Sequence, residues 1–172
     1  MLKLFFISVL VSLMFTTASA QAGSQFEGTW VIDSELSTAF DPWRSIQLDI
    51  ELVEGGVVIE ELCTTGRRRA TQRYELKLGS SQNVVPIEMW TGNRHIGAYI
   101  GGDRAMRIDA RLDDGGRTLV LDCRYLLDTS QGETAVRSHK EFRVSSDGDQ
   151  LVVMELRSTR PRPILQVFNK AN

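Results

Sequence analysis

The run Ile46-Gln47-Leu48-Asp49-Ile50-Glu51-Leu52 alternates apolar and polar side chains without a break and ends just before Gly55-Gly56. Side chains along a strand point to opposite faces in turn, so this run has one dry side and one wet side. The same period returns in Met106, Ile108, Ala110 and Leu112 against Arg107, Asp109 and Arg111. It returns again in Leu119, Leu121, Cys123 and Tyr125, and in Val152, Met154 and Leu156. Gly92-Asn93, Gly101-Gly102, Asp113 to Gly116 and Asp147-Gly148-Asp149 separate the runs. Gly, Asn and Asp accept the positive φ that tight hairpins require. Read from Trp30 onward, the pattern predicts about ten short antiparallel strands. Such strands must bury one face and protect their edges, which a sheet closed on itself does. The expected fold is therefore all-β, a single antiparallel up-and-down β-barrel. Only Ser34 to Trp43 has room for a helix, and Pro42 limits it to about one turn.

Outside the barrel pattern stand the first twenty residues. Lys3 precedes an apolar run from Leu4 to Phe15, and Ala18-Ser19-Ala20 is a small-x-small site before Gln21. This is the anatomy of a secretory signal peptide cleaved between Ala20 and Gln21. Its apolar run is shorter than the about 20 residues of a membrane span. The expected product is residues 21–172, one exported domain, periplasmic or extracellular. The whole chain of 172 residues carries a net charge of −2, and losing Lys3 makes it more negative. That balance gives no general attraction to nucleic acid or to an anionic membrane.

Cys63 and Cys123 are the two cysteines of a chain addressed to an oxidising compartment. A Cys63–Cys123 disulfide is the expectation there, with two buried free thiols as the alternative. Closing a loop of about 60 residues would contribute roughly 4 kcal/mol in the loop-entropy picture.

Phe26-Glu27-Gly28-Thr29-Trp30, at the start of the first strand, resembles the Phe-x-Gly-x-Trp signature of the calycins, the lipocalins and fatty-acid-binding proteins. The stretch Val31 to Ser37 and the closing Leu165-Gln166-Val167-Phe168-Asn169-Lys170 are similar to their counterparts in fatty-acid-binding proteins. A closer likeness is to small exported bacterial proteins of lipocalin-like type, a largely uncharacterised group. The resemblance implies a lipocalin-like barrel in which Trp30 plugs the closed end, Gly28 lets neighbouring chain approach it, and Phe26 completes the motif. Ser34 to Trp43 is too short for the two-helix lid of fatty-acid-binding proteins, so their portal does not carry over.

Catalytic chemistry finds little to work with. No Gly-x-Ser-x-Gly elbow, Cys-x-x-Cys pair or phosphate loop occurs. His95 and His139 have no Cys, His or Asp at ligand spacing and make a weak zinc site. No metal and no cofactor is therefore the expectation, with haem held by one histidine, as in some barrel proteins of this kind, left as the alternative. His139 alternates with Arg137, Glu141 and Arg143 and belongs on the wet face. Glu60 and Glu61 point to opposite faces, so one of them faces inward. Arg67-Arg68-Arg69 reads as a hairpin tip and Arg157 to Arg162 as a solvated connection, each with some pull on an anion. Neither interleaves with aromatics, as single-strand nucleic acid binding would require.

The informative residues are polar ones in phase with apolar ones. Gln72 and Tyr74 share a face with Leu76 and Leu78, and Ser138 and Lys140 with Val136, Phe142 and Val144. A lysine on an inward face needs water, an acid such as Glu60 or Glu61, or a ligand carboxylate. A bulge that returns Lys140 to solvent is the alternative. Two functional readings follow. One is a small-molecule binder for an apolar or amphipathic, acidic ligand, with Gln72, Tyr74, Tyr125 and Lys140 as polar contacts and Met89, Met106 and Met154 as adaptable walls. It calls for a cavity of at least about 300 Å³. The other is a non-catalytic interaction protein, a periplasmic inhibitor or envelope component, that works through loop tips over a solid core.

Overall fold

Hairpins build the wall. The computed structural model describes residues 23–38, 43–79, 82–87, 91 and 99–171. The expected leader Met1 to Ala20, Met89 and His95 lie outside the described residues. Strand β1 (Gly28–Asp33) is followed by β2 (Ser45–Val53), β3 (Gly56–Thr65), β4 (Arg68–Lys77), β5 (Asn83–Pro86) and β6 (Tyr99–Ile100). Then come β7 (Ala105–Asp113), β8 (Thr118–Thr129), β9 (Gly132–Val144), β10 (Gln150–Arg157) and β11 (Ile164–Lys170). All pairings are antiparallel. Ten strands follow round the wall in the order β4-β3-β2-β1-β11-β10-β9-β8-β7-β5, and the two-residue β6 pairs with β8. The last strand returns to the first, and the architecture is the expected up-and-down barrel, nearly closed.

The seam is at β4 and β5, where side chains replace a ladder. Asn83 Oδ1 accepts the Lys77 N–H at 2.8 Å, and its Nδ2 donates to the carbonyls of Lys77 and Ile108. Gln72 Nε2 donates to the Pro86 carbonyl at 2.9 Å. A short 3-10 turn, Ser24–Phe26, covers the end of the barrel where β1 begins. Gln25 Nε2 there donates to the Gly116 carbonyl on the opposite wall. Beneath it Phe26 and Trp30 are fully buried, and Trp30 Nε1 donates to the Phe26 carbonyl at 2.8 Å. Lys170 lies over the indole, 5.0 Å from its centroid. Gly28 has φ 128°, and a Cβ there would stand 3.2 Å from Lys170 Cε, so glycine suits both the backbone and the close approach.

After β1 the chain makes a turn without a helix among the described residues. Asp33 Oδ1 accepts the N–H groups of Glu35 and Leu36, which fastens it. The expected disulfide is not formed. Cys63 and Cys123 are free, buried thiols. Cys63 sits on β3 and Cys123 on β8, strands separated by β4, β5 and β7 round the shorter way. With neighbouring strands about 4.8 Å apart, such walls do not bring Cα atoms within the about 7 Å an S–S bond requires unless they collapse on each other.

Candidate ligand-binding site

Register decides what meets inside. β9 turns Val136, Ser138, Lys140 and Phe142 inward, and β10 turns Leu151, Val153, Glu155 and Arg157 inward. The two strands pair Ser138 with Arg157, Lys140 with Glu155 and Phe142 with Val153. A buried ionic cluster results. Arg157 grips Glu155 with two parallel bonds, Nε to Oε1 at 2.9 Å and Nη2 to Oε2 at 3.0 Å. Both side chains are only 6% exposed. The Ser138 hydroxyl donates to the same carboxylate.

Lys140 also lies in the interior, yet no carboxylate of the described residues comes within ion-pair distance of its ammonium. Burial works against its charge, and the fields of Glu155 and Glu61 outweigh it and move the ammonium above its ordinary 10.5. For Glu155 burial likewise disfavours charge, and Lys140 and Arg157 overcome it, holding the carboxyl below its ordinary 4.5. Two adjoining voids of about 30 Å³ each lie beside the ammonium. Tyr74, Glu61, Met106, Cys123 and Gln166 line both of them. One extends over apolar wall, including Ile59, Leu121 and Phe142. The other reaches Tyr125, Glu155 and Thr91. Thr91 is held by its hydroxyl, which donates to Glu61 Oε2, and by its carbonyl, which accepts the Trp43 indole N–H.

The sequence-derived residues are thus placed as follows. Tyr74, Tyr125, Lys140 and Met106 come together round the voids. Gln72 faces inward but its amide spans the seam. Met154 does not belong: it lies on the outer face, paired with Glu141 and Leu165. The apolar set Val152, Met154 and Leu156 does share a face, but Leu156 is 46% exposed while Leu151, Val153, Glu155 and Arg157 are buried. The ion pair makes two charged residues fit to face inward, which hydrophobic periodicity alone does not foresee. The expected space of about 300 Å³ is not reached by the voids among the described residues. Arg157, read from the sequence as the start of a solvated connection, instead ends β10 and is buried against Glu155. Glu155, Thr91 and Gln166 were not singled out from the sequence.

Burial keeps the interior thiols and phenols of the described residues protonated. Burial pushes the Cys123 thiol up to about 11 and the Tyr125 phenol up to about 12. It raises Cys63 and Tyr74 as well. Protonated thiols are poor nucleophiles. His139 is on the outer face as expected, with Nδ1 2.7 Å from Asp122 and Nε2 3.2 Å from Glu141. The hydrogen bond to Asp122 raises it above 6.5.

No protein-family model and no curated protein matches the chain. Solved structures do match its fold. A REP1-NXSQ fatty acid transporter aligns with TM-score 0.52 and 12% identity over 85% of this chain and 96% of its own. A secretary abundant heat soluble (SAHS) protein from Ramazzottius varieornatus aligns with TM-score 0.51 and 11% identity, covering 87% and 97%. Human cRBP IV aligns with TM-score 0.51 and 14% identity, covering 85% and 98%.

Proposed function

We propose that the protein is an exported, single-domain binder of a small amphipathic ligand with an acidic head, held inside the barrel and not transformed there. One observation carries the reading: the Lys140 ammonium stands in the interior beside a void, in direct ion-pair contact with no described residue. Glu155 gives three acceptor positions to Arg157 and Ser138 and acts on Lys140 through its field. A buried ammonium needs oxygen partners, and a ligand carboxylate or water supplies them. Tyr74 lines the same void and offers a neutral hydroxyl to the head. Ile59, Leu121, Phe142 and the adaptable Met106 offer apolar wall to the tail. Three fold neighbours are fatty-acid transporter or binding proteins by name, which agrees with this ligand class, though function sits in the site and not in the fold. Export rests on the leader Met1 to Ala20.

The test is displacement of a fluorescent long-chain fatty acid from delipidated protein by oleic acid and by oleyl alcohol. Oleic acid is expected to win in the native protein, and Lys140→Met to remove most of that preference by about tenfold, the loss of one charge-assisted contact. Equal displacement by acid and alcohol in the native protein would refute the role of Lys140. No displacement by either would move the interaction-protein reading ahead, as the small voids among the described residues favour. N-terminal sequencing of exported protein should begin at Gln21, and material retaining Met1 would refute the address.

A further inference from the structure

A second concavity lies outside the barrel. It is a groove of about 480 Å³ over β8, β9 and the far end of β10, against the connection from β10 to β11. Five arginines line it beside two acids: Arg124, Arg137, Arg157, Arg160 and Arg162, with Asp109 and Asp122. Arg157 is the one already paired with Glu155. Arg124 is neutralised by Asp109 at 2.7 Å, and Asp122 by Arg111 and His139. Arg137, Arg160 and Arg162 make no ion pair with any described residue. Three uncompensated guanidinium groups therefore share one groove, on a chain whose net charge is −2.

The groove is built, not merely basic. The Ser158 N–H donates to the Arg137 carbonyl at 2.9 Å, and the Arg137 N–H donates to Ser158 Oγ at 3.0 Å. These bonds tie the connection to β9 at the arginine itself. The Arg160 N–H donates to the Arg157 carbonyl. Pro161 and Pro163 follow Arg160 and Arg162 directly, and a residue before proline is confined to extended backbone. The positions from which the guanidinium groups project are thereby restricted before any ligand arrives, which lowers the ordering cost of binding.

Guanidinium groups match oxyanions with paired, charge-assisted bonds. Size and field select the kind of anion. The volume suits a small molecule. Asp109 and Asp122 on the β7–β8 side stand against an extended polyanion, and the negative chain gives no long-range pull toward an anionic membrane. We propose that this groove binds a compact phosphate-bearing small molecule, whose phosphate is taken by Arg137, Arg160 and Arg162. The groove shares Cys123, Ser138 and Arg157 with the wall of the interior void. The three arginines that take the phosphate line the groove and not that void, so the proposal does not depend on the ligand proposed there.

The test is calorimetric titration of the purified protein with pyrophosphate at an ionic strength held constant with chloride. Saturable binding is expected. The variant Arg137→Gln/Arg160→Gln/Arg162→Gln should weaken it at least about tenfold, as loss of several charge-assisted bonds implies. Arg67→Gln/Arg68→Gln/Arg69→Gln removes the same charge from the exposed β3–β4 tip and should leave it unchanged. Melting curves without anion verify that both variants fold, and the three single Arg→Gln variants give graded losses should the triple variant not fold. Absence of saturable binding, or equal losses in the two triple variants, overturns the proposal. So does binding to phosphatidylglycerol vesicles or an acidic peptide without binding to pyrophosphate.

Discussion

Replacing Glu155 by alanine should destabilise the barrel severely. The carboxylate is 5% exposed and accepts from Arg157 and Ser138. Without it Arg157 and Lys140 remain as two cations on adjacent strands, with the Ser138 hydroxyl deprived of its acceptor. Charges about 4 Å apart at an effective dielectric of 20 attract by about 4 kcal/mol. Breaking a buried pair from one side costs about 3–5 kcal/mol in measured cases, so the two routes agree. In urea, with a slope of about 2 kcal/mol per molar, that is a fall in the unfolding midpoint of about 2 M. Two further variants separate the mechanism from simple truncation. Glu155→Leu/Arg157→Met removes both partners of the pair and should recover part of the loss, because apolar replacement of a buried pair is often neutral or stabilising, while Lys140 and Ser138 still lack Glu155. Acid should imitate the truncation. The folded-state carboxyl is held below 4.5, so its contribution is complete above that pH and is lost as the pH falls through the lowered value. A Glu155→Ala midpoint within about 0.5 M of the native one, a shift worth only about 1 kcal/mol, would refute the reasoning.

Two other outcomes test the wall and the thiols. Asn83→Ala strips two hydrogen bonds that span the seam and a third to the Ile108 carbonyl on β7 and should cost about 2 kcal/mol, a drop of about 6 °C in Tm. Hydrogen exchange should show the Lys77 amide losing protection, and an unchanged Tm with unchanged protection would refute the seam assignment. Dithiothreitol should leave the Tm unaltered, since the cysteines are free, and a thiol reagent should titrate both only after unfolding. A fall in Tm on reduction would restore the disulfide.

The fold was legible because its signals are local. Period-two alternation in β2, β7 and β8 and the Gly and Asp turns between strands each carry their meaning within a few residues. Phe26, Gly28 and Trp30 were legible for the same reason. The inward phase of Lys140 was readable too, and the structure shows no bulge returning it to solvent. What escaped was pairwise. β10 offers two rows, Val152-Met154-Leu156 and Leu151-Val153-Glu155-Arg157, and apolar content alone favours the first as the dry one. Only the partner strand decides. Counting outward from the Asp147-Gly148 turn brings Lys140 opposite Glu155, and opposite charges in register on an inward face are the signal that would have chosen the second row. The cysteines failed for a related reason. Compartment argues for pairing, but pairing is a distance, and the strand order that sets it is not written near either residue.

Stability and binding pull apart in this interior. A buried ionic cluster is rarely the most stabilising filling for a core, which accords with the proposed ligand-holding role of Lys140, Glu155 and Arg157. The voids beside them, about 30 Å³ each, have room for ordered water and not for an alkyl chain. A chain-bearing ligand must therefore win volume from groups that yield. Met106 lines both voids and yields through its three rotatable bonds. The wall yields where it is least bonded. β3 and β4 are joined through ten residue pairs, whereas among the described residues β4 and β5 are joined chiefly by the amides of Gln72 and Asn83. Opening the seam breaks a few side-chain hydrogen bonds of about 1 kcal/mol net each, far less than unzipping a ladder. Expansion for a ligand and stability of the seam thus draw on the same bonds. The Asn83→Ala substitution that lowers the Tm should accordingly speed exchange of any interior ligand while leaving the Lys140 end of the site untouched.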